Sequence, residues 1–198
     1  MKKLYLFAPL LALGLAAGAH AQTQTVISDD FENYAGQVAN GGYTALYGGT
    51  LGAWTVTGGV DLIRNNYGAI DDVSIDLAGT PGPGSISQSF NAMAGMTYTL
   101  TFDLSMNPPG SQLDVTLGSV TQSYTPNADG SVQHISLSWT AATSGAALLS
   151  LGTMSSSNQG PVIDNIMLTA AVPEPETYAL MLAGLTAVGF VAGRRRRA

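Results

Sequence analysis

Between Gln22 and Val172 the chain has no long run of helical period, and instead repeats short stretches in which apolar and polar residues alternate. The clearest is Thr97–Leu104: Tyr98, Leu100, Phe102 and Leu104 fall on one side of an extended chain, and Thr97, Thr99, Thr101 and Asp103 on the other. Successive side chains of a strand point to opposite faces, so each such run reads as a strand with one buried and one solvated side. Similar runs lie at Trp54–Ile63 (broken by Gly58-Gly59), Val73–Leu77, Ser85–Phe90, Leu113–Leu117, Val120–Tyr124, Gln133–Trp139, Ala146–Leu151 and Val162–Leu168. Turn formers separate them, among them Gly79–Gly84, Asn107-Pro108-Pro109-Gly110 and Asp129-Gly130, the last a hairpin signal. Nine short strands with close turns predict an all-β fold, an antiparallel β-sandwich with jelly-roll connections. Trp54 and Trp139 sit in strand patterns and are expected in the core. The Gly-, Tyr- and Asn-rich segment Asp29–Gly52 reads as one long loop after a short first strand, and loops of that length are often functional.

The ends differ from this body. Lys2 and Lys3 precede an apolar run from Leu4 to Ala19, and Ala19-His20-Ala21 offers small residues where a signal peptidase reads. Residues 1–21 thus read as a secretory signal helix, cut before Gln22. At the other end, Val172-Pro173-Glu174-Pro175-Glu176 is an exposed extended handle, because each proline fixes φ and lacks an N–H. Tyr178 to Ala192 carries no charge, and Arg194, Arg195, Arg196 and Arg197 follow. As a helix, that apolar run would be about 22 Å long against a hydrocarbon core of about 30 Å. The arginines can snorkel to extend its reach, and they hold that end on the cytoplasmic side. The expected division is a signal peptide (1–21), a β-sandwich domain (22–172) and a C-terminal signal (173–198). Within the last lie the motif (173–177), an apolar transmembrane helix (178–192) and an Arg-rich end (193–198).

Charge narrows the function. Residues 22–172 hold one basic side chain, Arg64, against eleven acids, a formal charge of −10. Such a surface repels nucleic acid and anionic lipid, and suits neutral sugars and divalent cations. This body has one histidine, His134, and neither lysine nor cysteine, which excludes Cys–His chemistry, lysine nucleophiles and multi-histidine metal sites. No nucleophile elbow or phosphate-binding glycine loop is present. His134 alternates outward beside Ser136 and Ser138. Asp61 and Asp76 are the acids that could imitate a glycosidase couple, although acidic β-proteins commonly offer such pairs. The expectation is a protein that is not an enzyme.

The handle, short apolar span and terminal arginines resemble the PEP-CTERM sorting signal of Gram-negative surface proteins. The resemblance implies recognition and removal of the tail by an exosortase. It also implies a transient inner-membrane stage with the domain in the periplasm, then release to the cell surface or the exopolysaccharide matrix of a biofilm. The body resembles a second family. Asp30-Phe31-Glu32, Trp54-Thr55-Val56, Gly59–Ile63, Ser74–Gly79, Gly84–Phe90, Tyr98–Phe102 and Gly160–Ile166 are similar, in that order, to choice-of-anchor C and DUF642-type domains. That resemblance implies a galactose-binding-like jelly roll.

Two candidate sites follow. Asp164 shares strand parity with Val162, Ile166 and Leu168, and a carboxylate on the inner face would need a partner. A structural Ca²⁺ is one solution, and the resemblance implies Glu32 and Asp164 as its ligands. The alternative is an edge position, solvated or bonded to backbone N–H groups. Asp29, Asp30, Asp71 and Asp72 read as solvated turn residues. Tyr43, Tyr47, Arg64, Asn65, Asn66 and Tyr67 could form a sugar platform, with aromatic faces on sugar C–H surfaces and amides or guanidinium on hydroxyls. Packing of the loop aromatics against the sandwich is the competing reading. The chain is accordingly expected to be a non-enzymatic exported surface protein; the alternative is a calcium-dependent, lectin-like module for exopolysaccharide.

Overall fold

The computed structural model describes residues 22–172, 182–186, 188 and 193. Thr23–Val172 forms one compact unit. Residues 182–186 are helical, and no helix among the described residues is long and apolar enough to cross a membrane. The expected signal helix lies outside the described residues, as do the handle and most of the apolar run.

This unit is an antiparallel β-sandwich. Its strands are β1 (Gln22–Asp29), β2 (Tyr43–Tyr47), β3 (Thr50–Leu51), β4 (Trp54–Arg64), β5 (Val73–Asp76), β6 (Gly84–Ala92), β7 (Thr97–Met106), β8 (Leu113–Leu117), β9 (Val120–Tyr124), β10 (Gln133–Thr140), β11 (Gly145–Gly152) and β12 (Pro161–Val172). The first sheet runs β10-β7-β12-β5-β4, with β2 on the far side of β4 and β1 beside β12. The second runs β4-β6-β11-β8-β9, with β3 beside β4. From β5 to β12 the chain crosses repeatedly from sheet to sheet, as in a jelly roll.

β4 belongs to both sheets. Its first half pairs with β3 and β6, and its second half with β2 and β5. The change falls at Gly58-Gly59, where Gly58 has φ +71° and a Cβ would lie 2.4 Å from the Pro83 carbonyl oxygen. A strand turning such a corner needs a residue that is free of the Cβ constraint.

The core fills the space between the sheets as the alternation dictates. Tyr98, Leu100, Phe102 and Leu104 meet Val60, Leu62, Val73, Ile75, Leu77, Ile86 and Leu117, all buried. Trp54 is fully buried, and its Nε1–H donates to Asp29 Oδ2 at 2.8 Å. Trp139 is only half-buried; it packs on Tyr98 at 5.7 Å and donates to Ser119.

Three expectations are corrected. Asp29–Gly52 is not one loop: it holds a 3₁₀ turn (Glu32–Gln37), β2 and β3. Tyr43–Tyr47 alternates like a strand, and Gly48 and Gly49, both at positive φ, turn the chain. The Asp129-Gly130 turn is not a hairpin. It carries the chain from β9 in one sheet to β10 in the other, because β9 pairs with β8 and β10 with β7. Asp29 and Asp72 are not solvated turn residues: Asp29 also accepts from the Phe31 N–H at 2.9 Å, and Asp72 is ion-paired with Arg64 at 2.8 Å.

Candidate functional site

The side of the first sheet that faces away from the core is organised in two rows. Register places Ala45, Asp61, Asp76, Val162 and Ser105 side by side across β2, β4, β5, β12 and β7. In the next row, Tyr43 lies beside Ile63 and Ser74 on one flank, and Asp164 beside Asp103 and His134 on the other. In a bare sandwich these positions would be wet, yet Asp61, Ser74, Asp76, Ser105 and Asp164 are at most 5% exposed. Connections from four parts of the chain fold over them. The Ser105 hydroxyl donates to the Gly68 carbonyl, Asn107 Nδ2 donates to Asp76 at 2.9 Å, and Thr80 donates to Asp61 through N–H and hydroxyl, each at 3.0 Å. Ile70 donates its N–H to the Ser74 hydroxyl at 2.8 Å.

Burial raises the affinity of these carboxylates for protons, because desolvation penalises the charged form. It pushes Asp76 up to about 7, against hydrogen bonds from Asn107 and the Ala78 N–H that favour ionisation. It pushes Asp164 up to about 7, and raises Asp61 as well. The bonding around Ser74 agrees for Asp164. Ser74 Oγ lies 2.7 Å from the Ile70 carbonyl and 2.9 Å from Asp164 Oδ2, and it also accepts from the Ile70 N–H. A hydroxyl has one proton and two lone pairs, so all three contacts are satisfied when Asp164 carries a proton and donates it.

Between the covering segments a cavity of about 100 Å³ opens onto this face. Tyr43 and Tyr67 form its aromatic wall, edge to face at 5.9 Å and 86°. Asp61, Ile63 and Thr80 line it below, with Asn107, Asn158 and Gln159 around it. Tyr67 is held at φ 57°, a left-handed conformation that is uncommon for a bulky residue. The following Gly68 explains how it is held: a Cβ there would lie 2.0 Å from the Met106 carbonyl oxygen. The turn is therefore pressed onto the β7 backbone and carries Tyr67 to the rim.

The platform residues separate. Tyr43 and Tyr67 meet at the cavity, while Tyr47 lies on the same side of β2 at its other end. Arg64, Asn65 and Asn66 hold the framework. Arg64 pairs with Asp72 and donates to the Ala35 carbonyl at 3.0 Å, and it holds the Asp72 carboxyl below the usual range. Asn65 Nδ2 donates to Asp72 at 2.6 Å, and Asn66 Nδ2 to the Gly41 carbonyl at 3.1 Å. Asp61, Thr80, Asn107, Asn158 and Gln159 were not legible as a group, because one strand and three separate connections bring them together. For Asp61 the signal was its place on the polar side of β4.

Glu32 and Asp164, the expected calcium ligands, are both engaged by hydrogen bonds within the fold. Glu32 Oε1 accepts from the Asp72 and Val73 N–H groups at 3.2 and 3.0 Å, and Asp164 is engaged by Ser74 and by the Asn165 N–H at 2.6 Å. Among the described residues no group of three or more acidic, histidine or cysteine side chains is placed to hold a metal ion. Asp164 also faces away from the core, not toward it with Ile166 and Leu168. A bulge between Asp164 and Met167, with Asn165 at φ 51°, puts Asp164 on one face and returns Ile166 and Leu168 to the other. Asp61 and Asp76 sit on neighbouring strands of one face and do not oppose each other across an open cleft.

Among solved structures, the fold is similar to the CBM22-1 xylan-binding domain of Paenibacillus barcinonensis Xyn10C, at 14% identity over 79% of this chain and 100% of that one, with a TM-score of 0.44. TmCBM61 in complex with β-1,4-galactotriose is similar at 12% identity over 71% and 97%, TM-score 0.44. The K3 adhesin domain of the Lys-gingipain of Porphyromonas gingivalis is similar at 13% identity over 75% and 99%, TM-score 0.42. No curated protein sequence matches the chain. Residues 171–197 match the PEP-CTERM protein-sorting motif, which marks export and membrane-anchored sorting in Gram-negative bacteria. Residues 24–169 match the family described as "Protein of unknown function (DUF642)", and the chain belongs to that family.

Proposed function

We propose that this is an exported surface protein whose sandwich binds neutral carbohydrate of the surrounding matrix through the Tyr43–Tyr67 cavity, after an exosortase has processed its C-terminal signal. One observation carries the binding reading: two partly exposed tyrosines stand over a cavity lined by a carboxylate, a threonine and amides. Aromatic rings accept the C–H faces of a sugar, and the amides and Asp61 offer donors and acceptors to its hydroxyls. A body charge of −10, with its one arginine already paired, disfavours anionic ligands. The PEP-CTERM motif at residues 171–197 supports the export route.

The test is binding of the full chain, held in a non-glycosidic detergent, to an array of neutral and acidic polysaccharides, with and without calcium. Retention on neutral glycans, lost in Tyr43→Ala and in Asn107→Ala with the fold intact by circular dichroism, is expected. Retention on acidic glycans alone, or on none, would count against it. Dependence on added calcium, lost in Glu32→Gln, would assign the metal to Glu32 and Asp164.

A further inference from the structure

The cavity is one end of a longer track. On β2, Tyr43, Ala45 and Tyr47 share the outward side, opposite Ile63, Asp61 and Gly59 of β4. Tyr43 is 49% exposed at one end of the strand and Tyr47 74% at the other, while Tyr67, on the turn after β4, is 36% exposed. Between the tyrosines the side chains are small or recessed: Ala45 carries a single methyl group, and Asp61 is buried beneath Thr80. Beyond them Tyr47 leans over a residue without a side chain, since a Cβ on Gly59 would stand 3.5 Å from its ring. Tyr47 is four residue steps along the strand from Tyr43, about 13 Å. One sugar ring cannot reach both.

We infer that this face takes an internal stretch of an extended neutral polysaccharide laid along β2, with one ring at the Tyr43–Tyr67 cavity and a second stacking position at Tyr47. This rests on the carbohydrate reading above, and adds to it a polymer class and a mode of grip. A site built only for a chain end or a free monosaccharide would need one aromatic wall and a closed far side. Here the track continues past Ala45 and ends on a ring that remains available on the surface. The hydrogen-bonding groups cluster at the Asp61, Asn107 and Gln159 end, which sets position, while Tyr47 contributes stacking.

The experiment is calorimetric titration of the full chain, in a non-glycosidic detergent, with cello-, xylo- and β-1,4-galacto-oligosaccharides of two to six units, using the wild type, Tyr47→Ala, Tyr47→Phe and Tyr43→Ala. Affinity for the preferred series is expected to rise with length by about three- to tenfold, the value of one added aromatic contact. Tyr47→Ala should erase that rise while leaving the shortest bound sugar unchanged; Tyr47→Phe should keep it; Tyr43→Ala should weaken every length. Binding without any gain in length, or a gain that survives Tyr47→Ala, overturns the second position and leaves the cavity reading standing. No binding at any length in the three series overturns both.

Discussion

Three aspartates show how a single residue type divides between roles according to what covers it. Asp29 and Asp72 meet the Trp54 indole and the Arg64 guanidinium, and work as acceptors that tie loops to strands. Asp76 is buried without a cation, and its affinity for protons rises to about 7. The sign of the pH effect follows from that direction. A carboxyl raised above its unfolded value binds more protons in the folded state, so stability is greatest below about pH 4 for that group. It falls as pH climbs toward 7, by about 1.4 kcal/mol per pH unit per group, and is constant above. Asp164, raised to the same level, adds to this, and Asp72, held low by Arg64, opposes it only in strong acid. Thermal unfolding is therefore expected at a higher temperature at pH 5 than at pH 8. Asp76→Asn, which cannot ionise, should show a flatter profile and gain on wild type as pH rises from 5 to 8; an unchanged slope in calorimetry would contradict the assignment.

At the scale of the element, the bulge in β12 decides which residues the sheet exposes. Asn165 is the extra residue: Asp164 pairs with Asp103 and Met167 with Thr101, so two residues face Phe102. Its deletion leaves a regular alternation in which Ile163, Ile166, Leu168 and Ala170 still point inward. The loss is limited to its N–H to Asp164 and its side-chain bonds to Asp71 and Asp103, about 1–3 kcal/mol. Deletion of Met167, a residue also on the surface, has a different outcome. Either Asn165 or Thr169 then turns into the core and Ile166 or Leu168 turns out, because a strand has a period of two. Urea denaturation should show a cooperative transition for the first deletion and a loss above about 4 kcal/mol, or none to measure, for the second.

For the whole molecule, the division of charge matters more than any single contact. Six of the seven basic residues lie outside the sandwich, at Lys2, Lys3 and Arg194–Arg197, so the ends and the body carry opposite signs. If the N-terminal signal segment and the tail are both removed on the way to the surface, the released protein is left with Arg64 as its sole Lys or Arg and becomes strongly acidic. Intact-mass measurement of the surface form is expected to find no Arg194–Arg197. A mass that retains them would mean that the protein stays anchored.

The nine alternating runs, the break at Gly58-Gly59 and the C-terminal sorting motif were legible in the sequence because each depends on neighbours along the chain: period-two alternation, a pair of glycines, an apolar run beside a charge cluster. β2 was not, since five residues among glycines carry too little pattern to tell a strand from a loop. The grouping of Tyr43 and Tyr67 with Asp61, Asn107 and Gln159 was not legible either. Those residues come from β2, β4 and three connections, and only the register of the sheet and the folding-over of the covering segments fix which of them meet. Sequence settled the class of fold and the acidity of the body through local chemistry. Tertiary structure alone decided which carboxylates lose their water and which tyrosines keep theirs, because burial depends on what the rest of the chain lays on top.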